Sequence, residues 1–104
     1  MIIANVGRDG EKKLTSFDVN HHGETLVCAA VSLLVINTVN SIETLTEADI
    51  SYEYNEEGGY LSFVLLSDRE TAEGKAAGLL LDALDLGFQS VAQAHPGEFK
   101  MKAK

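Results

Sequence analysis

The segment from Cys28 to Leu45 constrains the fold most, because it is rich in Ala, Leu, Val and Ile and contains neither glycine nor proline. It is too long for a typical strand. Its apolar side chains recur at helical spacing, at Val31, Leu34, Val35, Val39, Ile42 and Leu45. The spacing therefore predicts a largely buried helix. A second helical pattern runs from Arg69 to about Ala94, and Pro96-Gly97 follows its end.

Short segments with alternating apolar side chains surround the two predicted helices. They are Met1 to Val6, Leu14 to Val19, Ile50 to Tyr54 and Leu61 to Leu65, with Glu98 to Lys102 as a candidate edge strand. In the second segment, Thr15, Phe17 and Val19 are expected on one face. The order β-β-α-β-β-α(-β) predicts an α+β (α/β two-layer) fold, with two helices packed on a mainly antiparallel sheet.

Length and composition exclude several classes of protein. The chain fits one domain, residues 1–104. We see no apolar segment approaching 18 residues and no signal-like leader, so we expect no membrane partner. One cysteine cannot form an internal disulfide, and reduced thiols are typical of the cytoplasm. The net charge of −8 argues against direct nucleic-acid binding; it favours solubility first and a basic protein partner second.

Cys28 lies where a loop with two histidines, His21 and His22, is expected to become the first helix. A thiol attacks as the thiolate, and helix N-termini and imidazolium groups both favour that form. If Thr25 caps the helix, the N–H groups of the first turn lie near the thiol and can stabilise an oxyanion. One cysteine and one positioned histidine are the minimum for a cysteine hydrolase.

Other interpretations of these residues stay open. Cys28 can be an inert, small hydrophobic residue at the start of a helix, with the histidines simply exposed. Zinc binding by His21, His22 and Cys28 is the weaker alternative, because no CxxC or HxxxH spacing supports it. We predict no metal and no other cofactor. Ser32, one turn after Cys28, is expected to bond the carbonyl of residue 28, with a role in shaping the site as the second reading.

The segment from Gly23 to Ser32, GETLVCAAVS, resembles the G-x-D-I-V-C-A-A-x-S signature of the bacterial ribosomal-processing cysteine proteases. The element order, the length and Gly58-Gly59 before the fourth strand agree with that family. The resemblance implies a cysteine endopeptidase that removes the N-terminal extension of a large-subunit ribosomal protein. Its partner would then be the basic N-terminal peptide of a ribosomal protein precursor. A non-catalytic peptide-binding or ribosomal-protein-binding module on the same fold is the alternative.

The resemblance assigns roles to individual positions. Cys28 takes the place of the nucleophile, and His21 is the closest counterpart of the family histidine, with His22 as the second candidate. The predicted substrate-binding residues are Gly23, Glu24 and Ser32.

The chain departs from the family pattern in two ways. Thr25 stands where the family has a carboxylate, so Glu24 is the nearest acidic replacement. The interval from His21 to Cys28 is seven positions, several fewer than is usual. Either the loop is naturally short, or part of it is missing between Val19 and Glu24.

Gly74 and Gly78 lie four positions apart in the second predicted helix, a spacing that lets another backbone approach closely. A tolerated glycine pair on a surface helix is an equally good interpretation. Together with the apolar content of 45%, the pair leaves open a homodimer, which similar proteins often form.

Overall fold

The computed structural model describes residues 1–20, 26–55 and 59–104. Its elements are β1 (Ile2–Arg8), β2 (Leu14–Asn20), α1 (Leu26–Leu45), β3 (Ile50–Asn55), β4 (Tyr60–Leu65), α2 (Ala72–Ala94) and β5 (Phe99–Ala103). The predicted element order is confirmed, including the last strand.

The strands form one five-stranded sheet in the order β3-β4-β2-β1-β5. The pairs β1 with β2, β2 with β4 and β3 with β4 are antiparallel, whereas β1 and β5 are parallel. The predicted α+β fold, with two helices on a mainly antiparallel sheet, is therefore confirmed. In this order β2 is the central strand, and β3 and β5 are the outermost described strands.

The core lies between one face of the sheet and the two helices, and aromatic rings fill its centre. Phe17 and Phe63 stack with 5.2 Å between ring centroids. Phe88 of α2 meets Phe17 edge-on at 5.9 Å and lies 5.6 Å from Phe99 of β5. These contacts join the second helix to both central and outer strands.

The prediction that Thr15 shares a face with Phe17 and Val19 is wrong. Ser16 pairs with Gly7, but Leu14 pairs with Arg8, so Thr15 is an extra residue at an irregularity in the ladder. An inserted residue moves the side chains of the preceding residues in the strand to the opposite face of the sheet. Leu14 is consequently fully buried with Phe17 and Val19.

Two expectations about the first helix are also wrong. The buried residues of α1 form one face only, namely Val27, Val31, Val35, Thr38, Val39 and Ile42. Leu45, expected on that face, is 72% exposed. In addition, α1 is long and apolar enough, by length and composition, to cross a membrane. A core helix passes the same test, and one face of α1 packs against the sheet, so we describe α1 as a core helix with an apolar outer surface.

The second helix begins at Ala72, later than predicted, because Thr71 caps it by accepting a hydrogen bond from the N–H of Gly74 at 3.1 Å. A Cβ on Gly74 would overlap the carbonyl of Asp68, and one on Gly78 would lie 2.9 Å from the Arg69 guanidinium. The glycine pair does admit close neighbours, but they come from the loop before α2. The space beside Gly74 and Gly78 is therefore occupied by Asp68 and Arg69 and is not available to a second chain.

Candidate active site

Cys28 lies in the first turn of α1, as predicted, two residues after the first described helical residue. The N–H groups of a first turn have no acceptor within the helix, so they face whatever binds there. The Cys28 side chain is half-buried and packs against the core. The thiol therefore lies in the helix turn whose backbone N–H groups have no acceptor within the helix.

Helix geometry places Cys28 and Ser32 on one stripe of α1 that continues to Ile36. Further along, Ile36 lines a groove of about 140 Å³ between α1 and the two strands of the second hairpin. We call it the β3 groove; its lining residues are Ile36, Val39, Asn40, Tyr52, Tyr54 and Leu61. Cys28 and Ile36 are eight residues apart, which is about 12 Å along a helix.

The two histidines follow directly in sequence after β2, the central strand of the sheet. Asn20, the last residue of β2, pairs with Ile3 on one side and Tyr60 on the other. The following residues, His21, His22, Gly23, Glu24 and Thr25, lie outside the described residues, so their assigned roles stay predictions. The sequence is continuous across these positions, so the interval to Cys28 is naturally short.

The third histidine, His95, was not singled out by sequence reasoning. It caps α2 through a hydrogen bond from its N–H to the carbonyl of Val91 at 2.8 Å. With Leu26, Val27 and Ser90 it lines a groove of about 270 Å³ between the start of α1 and the end of α2. By helix geometry this groove lies on the opposite flank of α1 from Cys28.

Charge is distributed unevenly along the sequence. All eight Lys and Arg residues fall within residues 8–13 and 69–104, so residues 14–68, which include α1, β3 and β4, contain Asp and Glu but no Lys or Arg. Tyr52 donates a hydrogen bond to Glu43 Oε1 at 3.1 Å, which raises the pKa of Tyr52. Such a surface attracts cations and basic peptides. This asymmetry can be read from the sequence, but net charge alone conceals it.

No group of three or more His, Cys, Asp or Glu side chains in residues 1–20, 26–55 and 59–104 is arranged to hold a metal ion. The described residues thus provide the Cys28 thiol, the backbone N–H groups of the first turn of α1 and, further along α1, the apolar β3 groove. Those features suit attack on a carbonyl of a bound peptide.

Comparison with known proteins agrees with this chemistry. A ribosomal processing cysteine protease Prp of Bacillus subtilis is 27% identical over 97 residues, which are 88% of this chain and 87% of that protein. A crystal structure of a protein from Streptococcus mutans is 30% identical, covers 99% of this chain and 93% of its own, and has a TM-score of 0.83.

The fold is also that of an essential ribosomal processing protease Prp from S. aureus, crystallised with a substrate peptide. It has a TM-score of 0.86 and 23% identity over the full length of both chains. The model of the family "Cysteine protease Prp" matches residues 1–100. Since that match spans nearly the whole chain, the protein belongs to the Prp family of cysteine proteases.

Proposed function

We propose that this cysteine protease removes a short N-terminal extension from a large-subunit ribosomal protein during ribosome maturation. The observation that carries the proposal is the family match over residues 1–100, combined with Cys28 in the first turn of α1. The relatives from B. subtilis and S. aureus are named ribosomal processing proteases. The acidic surface of residues 14–68 suits a basic peptide substrate.

In the proposed mechanism, His21, or His22 as the second candidate, takes the proton of Cys28 Sγ as the sulfur attacks the scissile carbonyl. The N–H groups of the first turn of α1 donate hydrogen bonds to the oxyanion that forms. Collapse of this intermediate expels the amine, which takes the proton from the imidazolium, and leaves a thioester on Cys28. Water, deprotonated by the same histidine, then hydrolyses the thioester and releases the thiol.

Cleavage of a synthetic peptide tests the proposal. The peptide carries two aromatic residues before a small residue, with Lys residues in the flanks, and its products are identified by mass spectrometry. Wild-type protein should cut it, and Cys28→Ala should not. His21→Ala should lose activity if His21 is the base, and His22→Ala should lose it instead if His22, the second candidate, is the base. An unchanged peptide at high concentrations of wild-type protein would contradict the proposal.

Thr25, in place of the family carboxylate, favours one alternative, a peptide-binding module without turnover. In that case the peptide binds uncut, and Cys28→Ala leaves its affinity unchanged. A second alternative is that Cys28 is an inert, structural thiol. In that case Cys28 would resist alkylation by iodoacetamide at neutral pH.

We propose further that the protein acts in the cytoplasm, as a homodimer and without direct nucleic-acid contacts. Leu79 and Leu86 lie on one stripe of α2 and are 71% and 64% exposed, and Leu33 of α1 is 71% exposed. Exposed apolar stripes of this kind suit a dimer interface. Sedimentation analysis should give a dimer for wild type and a monomer for Leu86→Glu, whereas Leu45→Glu serves as the control.

A further inference from the structure

The outer edge of β3 presents backbone groups that no described strand takes up. Leu66 donates to the carbonyl of Asp49 at 2.8 Å, which identifies a hydrogen-bonded pair next to the start of β3. Antiparallel ladders alternate hydrogen-bonded and non-bonded pairs. The N–H and C=O groups of Ile50, Tyr52 and Tyr54 therefore point away from β4, toward the outer edge.

The two faces of this edge differ in character. Tyr52 and Tyr54 pair with Phe63 and Leu61, so their rings lie on the helix-covered face and line the β3 groove. They remain 43% and 47% exposed. Glu53 pairs with Ser62 and lies on the opposite face, where it is exposed.

The charge near this edge favours a basic occupant. Glu43, Glu47 and Glu53 are exposed, and no Lys or Arg occurs anywhere between residues 14 and 68. An exposed edge strand is a template for an added strand, since its backbone groups give affinity and its side-chain sites give selectivity. Apolar side chains of such a strand would meet the tyrosines, and basic ones would meet Glu53.

We infer that the outer edge of β3 binds the part of the substrate flanking the scissile bond, as an added strand whose alternate side chains are apolar and basic. The inference rests on the proposed function, and it names a docking surface for the substrate. The β3 groove begins about 12 Å from Cys28 along α1, a distance that about four extended residues span. Tyr54 and Glu53 are specificity-determining residues in this arrangement.

Backbone methylation of the peptide tests the inference on wild-type protein. A series of peptides is made from the parent substrate, each with one N-methylated amide in the flank. For each peptide, kcat/KM is measured with wild-type protein. The affinity for Cys28→Ala is measured by fluorescence anisotropy. Methylation should lower kcat/KM and affinity about three- to tenfold at every second position, because alternate N–H groups bond an edge strand. The positions between them should be unaffected.

Paired variants test the same surface from the protein side. Tyr54→Pro and Tyr54→Ala both remove the ring, but only the first removes the outward N–H, and proline is tolerated at such an edge. Tyr54→Pro should therefore bind the peptide more weakly than Tyr54→Ala. Glu53→Lys should raise KM about two- to fivefold with kcat unchanged, whereas Glu98→Lys, an equal charge change beyond α2, should leave both unchanged.

The outcomes separate the inference from the proposed function. The inference is overturned if methylation has the same effect at every position and if Glu53→Lys and Glu98→Lys have equal KM. The proposed function is upheld independently if the parent peptide is cut. If the parent peptide is not cut, the proposed function is wrong. The affinities of the methylated peptides for Cys28→Ala then still show whether the outer edge of β3 binds the peptide, because they should alternate along its sequence.

Discussion

Arg69 joins three parts of the chain through a single guanidinium group. Its Nη1 donates to the carbonyl of Leu14 at 2.6 Å, and its Nη2 donates to the carbonyl of Gly78 at 3.1 Å and to Asp82 Oδ1 at 2.8 Å. The side chain is only 12% exposed. The planar fork of arginine can serve these acceptors together, whereas the ammonium of lysine is a compact point charge.

Arg69→Lys should therefore lower the free energy of unfolding by about 1–3 kcal/mol, because the Leu14 carbonyl and the Asp82 carboxylate lose hydrogen-bond donors. Urea denaturation followed by circular dichroism measures this change. Lys75→Arg, an exposed substitution on α2, should leave the midpoint unchanged. Equal midpoints for Arg69→Lys and wild type would show that these acceptors find other donors.

Arg8 and Asp85 form a bidentate ion pair, with Arg8 Nη1 to Asp85 Oδ2 at 2.6 Å and Nη2 to Oδ1 at 3.0 Å. The hydrogen bonds from Arg8 lower the pKa of Asp85 below its ordinary value; burial opposes this effect, and a hydrogen bond from Gln89 adds to it. Since the folded-state pKa is the lower one, the pair contributes stability above the unfolded value of about 4 and loses it as the pH falls through the folded value.

The stability difference between wild type and Asp85→Asn should therefore be largest near neutral pH and shrink as the pH is lowered through about 4 toward 2. Thermal unfolding at a series of pH values measures it. Glu98→Gln, at an exposed carboxylate, is the control and should follow the wild-type curve. A constant difference between wild type and Asp85→Asn across the series would contradict the assigned role.

At the scale of elements, periodicity was sufficient for the number, type and order of helices and strands. It failed at Thr15, because one inserted residue in β2 reverses the facing of Leu14 and no composition signal marks the insertion. It also failed on the burial of α1, since the apolar residues Leu33 and Leu45 are exposed. Apolar composition alone does not tell which side of a helix another element covers.

The candidate site likewise has one part that the sequence predicts and one part that it does not. The place of Cys28 at the start of α1 follows from local pattern, because helix starts have local signals. The β3 groove does not, because Ile36, Tyr54 and Leu61 come together only through the antiparallel pairing of β3 with β4 and the packing of α1.

The start of α2 offers a prediction about an element. In a helix, Gly→Ala ordinarily gains up to about 1 kcal/mol. At Gly74 the new methyl group would overlap the Asp68 carbonyl, a backbone group beside the Thr71 cap. Gly74→Ala should therefore destabilise the protein by about 1–3 kcal/mol.

Gly87→Ala is the matched control for that prediction, because its new methyl group would meet only the Leu34 side chain at 3.4 Å. It should be neutral or slightly stabilising, with the same circular dichroism spectrum. If both variants change the unfolding midpoint by the same amount and in the same direction, the contact with Asp68 does not control the start of α2.

At the scale of the whole molecule, charge divides the protein into two regions. The ion pairs Arg8–Asp85, Arg69–Asp82 and Lys104–Asp18 all use cations from residues 8–13 and 69–104. Residues 14–68 contain Cys28 and the outer edge of β3 and add no cation of their own. Because the acidic groups of α1 and β3 are exposed, they act on an approaching peptide through solvent, where salt screens them.

This division predicts that cleavage of a basic peptide depends on ionic strength. Raising the salt from about 0.05 M to 0.5 M shortens the screening length from more than 10 Å to about 4 Å. The kcat/KM for a Lys-rich peptide should consequently fall severalfold through weaker association, with kcat unchanged. A peptide with the same scissile residues and Gln in place of Lys is the control and should show little change. An equal response of both peptides would mean that salt acts on the fold or the chemistry rather than on the attraction between the acidic region and its substrate.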